Sequence, residues 1–448
     1  MPRPLSDLTD AMLSAARKAG ADNADAVAVD GTSVSIDVLH GKLEHAERSE
    51  GIDIGLRVII GQRQACVSSS DTRDETISAM AERAVAMARE APEDDTIGLA
   101  EPGQLADDLG SAHMELCDPA AEPSAQSLQD AACEAEAAAL AVAGVAQVQS
   151  AAAGHGRHRI HLAATNGFSG GYEKSSNSLY CVAISGEGLK MERDYYGDQR
   201  VFQSDLENPA LIGRLAGARA VAAANPRKPK TGAYPVIFDE RVSASLIGHL
   251  LGAINGSAIV RGASWARSLL GEQVLPKGLD LIEDPLRHRA GGSKPFDAEG
   301  LQTARRAIVK DGVLTGWTLD LATARKLGME STANAARGTS SPPSPSNGNI
   351  ALTQGTQSRE DLMQEIGTGL LVTSMIGSTI SATTGDYSRG TTGFWVENGE
   401  IAYPVNECTI AGNLVDMLKR ITPANDARTH LSRVVPSLLV EGLTIAGE

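Results

Sequence analysis

The sequence lacks the cysteine pairs that mark disulfide frameworks and closed zinc sites. Its five cysteines are scattered along 448 residues, and no two of them form a C-x-x-C pair. An odd, dispersed set argues against a disulfide framework and against a zinc site built from cysteines alone. The five are Cys66, Cys117, Cys133, Cys181 and Cys408.

Long apolar runs and excess positive charge are also missing. No run approaches the roughly 20 apolar residues of a membrane span, and the N-terminus lacks a basic segment followed by an apolar core. The 40 Lys and Arg residues against 56 Asp and Glu give a net charge of −16, which would repel a phosphate backbone. We therefore expect a cytoplasmic protein whose direct partners include neither a membrane nor a nucleic acid.

Hydrophobic periodicity predicts a mixed first half. A helix from Ser6 to about Ala19, with Ser6 as its N-cap, precedes alternating apolar and polar segments that predict an antiparallel meander. Helical spacing returns twice, and further strands follow the second helix. The predicted meander strands are 24–30, 33–41 and 51–69; the helices are 74–90 and 127–143; the later strands are 145–154, 159–166 and 178–188.

The best domain boundary is the segment "NPRKPKTGAYPV" at 225–236, where prolines and three cations interrupt a helical pattern. A chain of 448 residues exceeds the roughly 250 to 300 that one core accommodates. We predict an α+β fold with an N-terminal domain, 1–225, that mixes helices with an antiparallel sheet. The C-terminal domain, 226–448, is predicted to be rich in strands and barrel-like.

Two generic catalytic signatures are absent or weak. The phosphate-binding pattern G-x-x-x-x-G-K-[ST] does not occur. The run "GFSGG" around Ser169 matches a serine nucleophile elbow, but a strand pattern follows it where an elbow needs a helix. A glycine-rich hairpin turn is the preferred interpretation of that run.

Three closely spaced histidines, His155, His158 and His161, are a second candidate. Strand alternation places His155 and His161 on one face and His158 on the other. An exposed or cross-strand cluster is therefore favoured over a metal site.

A third candidate is His249, on an apolar helical pattern at 243–258. A water-activating zinc site needs at least two imidazoles and usually a carboxylate base one turn away. No Asp or Glu occurs between Arg241 and Gly271, so this segment cannot supply the base. A structural role for His249 is favoured over a ligand or catalytic role.

Long runs in the chain resemble one known family. The run "GDYSRGTTGFWVENGEIAYPVNECTIAGNL" at 385–414 follows "LLVTSMIGSTISATTG" and a Ser/Pro loop at 338–349. Together with "SLYCVAISGEGLKMERDYYGDQR" and the ending "VPSLLVEGLTIAGE", these runs resemble the TldD/PmbA family, and specifically its TldE (PmbA) branch.

The resemblance implies a cytoplasmic zinc-dependent peptidase of two related subunits, TldD and TldE, that degrades unfolded peptides. It also implies links to peptide-antibiotic maturation and to a toxin–antitoxin system acting on DNA gyrase. The catalytic branch carries H-E-x-x-x-H on the helix that corresponds to 243–258. By that correspondence Ile247, Gly248 and Gly252 occupy the histidine, glutamate and second histidine positions, and Cys408 falls near the position of a ligating cysteine.

We therefore expect a subunit without catalytic residues or cofactor of its own, with zinc in a TldD-type partner and unfolded peptides as substrates. His249 and Cys408 remain the metal-ligand candidates, and the isolated chain is a candidate homo-oligomer. Two alternatives stay open. One is an autonomous hydrolase with an unrecognised site, and the other is a non-proteolytic peptide-binding or regulatory module linked to DNA gyrase.

Overall fold

A computed structural model describes residues 3–447, apart from the side chain of Ser378. Within these residues, no helix is long and apolar enough to cross a membrane.

The first half forms one six-stranded antiparallel sheet in the order β3-β2-β1-β4-β5-β6. Strands β1, β2 and β3 follow one another as the predicted meander, and β4 to β6 extend the sheet from the other side of β1. The elements of this half are α1 (Leu5–Ala19), β1 (Asn23–Leu39), β2 (Lys42–Ile60), β3 (Arg63–Ser69), α2 (Asp74–Glu90), α3 (Ala125–Leu140), β4 (Val145–Ala164), β5 (Ser169–Ser185), β6 (Glu192–Arg200) and α4 (Pro209–Ala222).

Four helices cover one face of this sheet in two pairs. The pair α1 and α2 buries leucine, methionine and alanine side chains against the first part of β1 and the second part of β2. The pair α3 and α4 packs on the far part of β1 and on β4 and β5. The core between α3 and α4 is rich in alanine and glycine, which allows a close helix approach with few aromatic residues.

Several local predictions for this half were wrong. Segment 51–69 is not one strand, because a turn at 61–62 divides it between β2 and β3. Segments 24–30 and 33–41 form one strand, β1, because Gly31 does not make a turn. A Cβ on Gly31 would lie 2.7 Å from Nδ1 of His158, so this glycine allows a side chain of β4 to pack closely. Segments 145–154 and 159–166 likewise join as β4. Helix α1 begins at Leu5 with Pro4 as its N-cap and no side-chain cap, so Ser6 lies in its first turn.

The second half contains a closed barrel of five strands in the order β16-β15-β14-β7-β19, with β19 pairing back to β16. A further sheet, β10-β9-β8-β13-β18, lies beside it. The elements are β7 (Gly232–Phe238), α5 (Glu240–Ala253), α6 (Gly256–Val260), β8 (Leu281–Glu283), β9 (Arg306–Lys310), β10 (Val313–Leu314), α7 (Leu321–Leu327), β11 (Ala335–Ala336), β12 (Ser344–Pro345), β13 (Ile350–Leu352), α8 (Arg359–Ile366), β14 (Gly369–Ile380), β15 (Asp386–Glu397), β16 (Glu400–Asn413), α9 (Leu414–Leu418), β17 (Ile421–Pro423), β18 (Arg433–Val434) and β19 (Leu438–Ala446).

This arrangement confirms the predicted α+β class and the barrel-like second half. Helix α5 provides apolar side chains to the main core of the barrel, where Leu246 and Leu250 are fully buried beside residues of β7, β14 and β19. Helix α8 packs on a separate, smaller apolar cluster. The boundary between 225 and 226 remains a prediction. The large antiparallel sheet uses residues 23–200, and the strands of the other sheets lie between 232 and 446.

A buried ion cluster joins the two halves. Asp25 of β1 accepts a hydrogen bond of 2.6 Å from Nε of Arg57 on β2. Arg337, which follows β11, donates to the other oxygen of the same carboxylate. All three side chains are at most 5% exposed. Burial alone would raise the pKa of Asp25, but the two guanidinium groups outweigh it and hold this pKa below its usual value.

The close approach of α3 and α4 gives the first testable prediction. A Cβ on Gly213 would overlap the carbonyl oxygen of Ala135, whereas a Cβ on Gly252 in α5 meets no atom within 4 Å. Gly213→Ala should therefore destabilise the fold by about 1–3 kcal/mol through overpacking. Gly252→Ala should stabilise it by up to about 1 kcal/mol through helix propensity.

Urea unfolding followed by circular dichroism measures both variants. Equal effects of the two substitutions would contradict this account of the helix contact.

Candidate functional site

Helix α5 carries the three positions at which the resemblance places metal ligands and base. Ile247 is 1% exposed and belongs to the barrel core. Gly248 is half-buried, and a Cβ there would lie 3.1 Å from Nη1 of Arg433. Gly252 is exposed. None of these three side chains has an atom that could bind a metal ion, so these positions provide no metal ligand.

Cys408 on β16 is a buried thiol. It is 4% exposed, and its Sγ donates to the backbone oxygen of Thr391 on the neighbouring strand β15, 3.4 Å away. Burial raises the pKa of the Cys408 thiol to about 11, so the group is protonated at neutral pH. No other His, Cys, Asp or Glu side chains join Cys408 in a group of three or more that could hold a metal among residues 3–447.

His249 lies beside an aromatic ring. Its imidazole makes an edge-to-face contact with the ring of Tyr387 at 5.8 Å between centroids, and its Nε2 is buried without a hydrogen-bond partner among the described residues. Burial lowers the pKa of His249, and Arg389 lowers it further. The hydroxyl of Tyr387 donates to Sδ of Met375 at 3.3 Å, and burial raises the pKa of that hydroxyl to about 12.

These residues do not fit a zinc ion. The lowered pKa of His249 favours its neutral imidazole, but a metal ion needs further ligands beside it. Across residues 3–447, no group of three or more His, Cys, Asp or Glu side chains is arranged to hold a metal. A zinc site needs at least three protein ligands, so we derive no chemistry through a metal bound to this chain.

The three histidines of β4 each have a separate environment. Nδ1 of His155 lies 2.8 Å from Oδ1 of Asn177, and Nδ1 of His161 lies 3.0 Å from Oγ1 of Thr9. His158 packs over Gly31. They form no common site.

Ser169 begins β5, opposite Ala163 of β4, and it follows the turn at Gly167, whose φ is 102°. No helix follows Ser169. The preferred interpretation of "GFSGG" as a hairpin turn is therefore confirmed.

A cleft of about 570 Å³ lies between the two halves. Strand β6, an edge strand of the first sheet, provides residues 192–195 on one side. On the other side are 373–376 of β14, 392–394 of β15 and 404–406 of β16. The Thr391–Cys408 pair adjoins this wall, because Thr392 follows Thr391 on β15 and Asn406 lies two residues before Cys408.

Irregular strand pairing shapes this wall. The register of β14 against β15 shifts at Thr373, and that of β15 against β16 shifts at Asn406 and Glu407. Glu407 has a positive φ of 48°. Bulges of this kind re-aim side chains and leave backbone groups unpaired, and they are common beside binding sites. Asn406 also crosses the cleft, since its Nδ2 donates to Oε1 of Glu192 at 3.2 Å.

Sequence reasoning missed the cleft, because its two walls are about 200 residues apart in the chain. The only local signal is the break in alternation around "PVNEC" at 404–408. That break cannot reveal that β6 lies opposite.

Helices on one face of an antiparallel sheet, joined to a closed five-stranded barrel, define a two-part α+β protein. Three family models match the chain: the PmbA/TldA metallopeptidase domain 1 at 24–88, the central domain at 118–224 and the C-terminal domain at 231–447. The chain belongs to the PmbA/TldD family, and to its TldE (PmbA) branch.

Relatives support this assignment along the whole chain. The metalloprotease PmbA of Escherichia coli O157:H7 is 37% identical, over 95% of this chain and 93% of that protein. The PmbA homologue of Haemophilus influenzae is 36% identical, over 96% and 94%. A metalloprotease TldD homologue of Buchnera aphidicola is 23% identical, over 44% of this chain and 41% of its own length.

Solved structures share the fold. A candidate modulator of DNA gyrase from Bacteroides thetaiotaomicron superposes with a TM-score of 0.91 at 24% identity, covering 99% of this chain and 98% of that one. TldE from Thermococcus kodakarensis gives 0.85 at 22% identity, covering 98% and 100%.

The three positions on α5 that lack a donor atom give the second prediction. The purified chain should retain far less than one zinc per molecule after dialysis, because Ile247, Gly248 and Gly252 provide no ligand and a single thiol, Cys408, cannot hold zinc alone. Elemental analysis of the dialysed protein measures the ratio. One tightly held zinc per chain would refute it.

Proposed function

We propose that this chain is the non-catalytic, substrate-shaping subunit of a cytoplasmic zinc peptidase that degrades unfolded peptides. Its partner is a TldD-type relative with H-E-x-x-x-H on the equivalent helix, and that partner holds the zinc. The observation that carries the proposal is the absence of any donor atom at Ile247, Gly248 and Gly252 in a chain that keeps the family's barrel.

The cleft supports a role in holding substrate. Its wall combines irregular backbone at β14 and β16 with the apolar side chain of Ile376, which is 68% exposed. An extended peptide can hydrogen-bond to strand backbone whatever its sequence, and side-chain pockets then add preference. A wall of this kind suits unfolded chains better than a single defined substrate.

Two alternative functions predict different results in a peptidase assay. An autonomous hydrolase would cleave peptides without a partner. A non-proteolytic module that binds peptides or a gyrase-linked protein would leave the partner's cleavage unchanged. The fold that the chain shares with a candidate gyrase modulator bears on its shape alone.

Co-expression with an H-E-x-x-x-H relative gives the third prediction. The two chains should elute together as a stable complex, because obligate contacts between related subunits usually bury more than about 2,000 Å². The complex should cleave casein-like unfolded peptides, whereas neither chain alone should do so efficiently. Size-exclusion chromatography with light scattering and a peptidase assay test this. Separate elution at micromolar concentration, or equal cleavage by the partner alone, would overturn the proposal.

The cleft gives the fourth prediction. Ile376→Asp, made in the complex, should raise KM for unfolded peptides severalfold, because it replaces an apolar contact of the cleft by a charge. Ile401→Asp is the matched control, since Ile401 is 48% exposed on β16 and is not part of the cleft lining. A similar KM in both variants would show that peptides do not use this wall.

A further inference from the structure

A cavity of about 180 Å³ lies between two loops of the second half and the face of the first sheet opposite its helices. Side chains of β1, β4 and β5 line one side, and residues of the segments 294–298 and 335–339 line the other. On β1, Ala26 and Ala28 pack under the helices, so the alternate residues Val27 and Val29 face the cavity. We call this space the interface cavity. It shares no lining residue with the cleft beside β6.

The lining of the interface cavity is mostly apolar. Ile160 and Leu162 of β4 belong to it, together with Phe296. The ring of Phe296 makes edge-to-face contacts with Phe168 and Tyr172, at 5.0 and 5.4 Å between ring centroids. A cavity of about 150 Å³ lined by apolar side chains can hold a benzene molecule. The interface cavity therefore has room for an apolar group of about six non-hydrogen atoms and a small polar group.

A lysine ammonium also lines this cavity. Nζ of Lys294 donates to the backbone oxygen of Ala335 at 3.1 Å, and Lys294 forms no ion pair with a carboxylate among residues 3–447. An ammonium group has three N–H donors, so this single bond leaves two of them without a protein acceptor. Burial lowers the pKa of Lys294, which shows how little water surrounds the group.

Arg337, which lines the cavity as well, has an unused donor. Its Nη1 donates to Asp25, and its Nε donates to the backbone oxygen of Gly338 at 3.3 Å. Its Nη2 is buried and has no hydrogen-bond partner among the described residues. A buried donor without an acceptor is unfavourable, and in folded proteins such a group commonly marks a missing water or ion. The bond to Asp25 therefore leaves part of this guanidinium free for a ligand.

Positive charge exceeds negative charge around the cavity. Asp25 is one carboxylate between two guanidinium groups, those of Arg57 and Arg337. Asp297, which lines the cavity, already accepts three backbone N–H bonds, and burial raises its pKa. Burial also raises the pKa of the neighbouring Glu299 to about 8, so this carboxyl is mostly protonated at neutral pH. The surplus of positive charge would stabilise an anion in the cavity.

We propose that the interface cavity binds a small monocarboxylic acid, whose apolar group lies against Phe296 and whose carboxylate accepts hydrogen bonds from Nη2 of Arg337 and Nζ of Lys294. Bonds of a carboxylate to guanidinium and ammonium groups are among the stronger hydrogen bonds in proteins. The volume limits the ligand to about eight non-hydrogen atoms, which fits a free acid with a short branched chain. This inference concerns the chain by itself and does not rest on the proposed peptidase function.

Isothermal titration calorimetry of the isolated chain with isocaproate tests the ligand class. We expect a Kd below about 1 mM, which is within the usual binding efficiency of a ligand of about eight non-hydrogen atoms. Isocaproamide is the matched control, because it has the same shape without the charge, and it should bind at least about tenfold more weakly. A tripeptide of two glycines and a C-terminal leucine should not bind, because it is too large for the cavity.

Two variants test the two ends of the ligand separately. Lys294→Met removes the ammonium, so it should weaken isocaproate binding about tenfold and leave isocaproamide binding unchanged. Lys310→Met is its matched control, since Lys310 pairs with Asp280 outside the cavity. Val29→Phe should fill the apolar part of the cavity and abolish the binding of both compounds. Thermal unfolding of each variant verifies that it is folded.

Equal affinity for isocaproate and isocaproamide, or no binding of isocaproate to wild type at millimolar concentration, would overturn the inference. So would wild-type affinity for isocaproate in folded Lys294→Met or Val29→Phe. If the leucine tripeptide bound and isocaproate did not, the ligand would be a peptide end and the assignment of a free acid would be wrong. Calorimetry on the isolated chain needs no peptidase partner, so this inference and the proposed function can fail separately.

Discussion

One buried carboxylate, Asp25, is shared by two arginines and ties the second half of the chain to the first. Arg57 comes from the neighbouring strand, whereas Arg337 comes from a loop more than 300 residues further along the chain. Removing one partner of such a pair leaves an uncompensated buried charge, which typically costs about 3–5 kcal/mol. The backbone of Thr339 also packs closely against β2 at Gly55, where a Cβ would overlap it.

This contact has consequences for the cleft. One wall of the cleft is an edge strand of the first sheet and the other is the barrel, so its width follows from how the two halves are fixed. The barrel packs against helix α5, on which Ile247, Gly248 and Gly252 stand where the family resemblance places the residues of H-E-x-x-x-H. The proposed accessory role depends on this combination, a barrel of the family's shape with no donor atom at those three positions.

Local pattern predicted the fold class, the meander, helix α2 and the hairpin at Ser169, because each depends on residues close in sequence. The local pattern gave a wrong prediction where a glycine is needed for tertiary packing and not for a turn. Gly31 looks like a break between strands, but it lies within β1 to accommodate His158. The assignment of Ile247, Gly248 and Gly252 to the metal positions rests on a resemblance and a carboxylate-free segment, and it stays a prediction. The cleft and the Asp25 cluster could not be predicted, since each joins segments that only the folded chain brings together.

The central claim is that the zinc of the mixed complex lies in the partner and not in this chain. Anomalous diffraction at the zinc absorption edge, on crystals of the co-expressed complex, locates the metal directly. The account predicts one anomalous peak per pair of chains, on the partner's H-E-x-x-x-H helix, and none near α5 of this chain. A zinc peak between α5 and Cys408, with ligands from this chain, would contradict it.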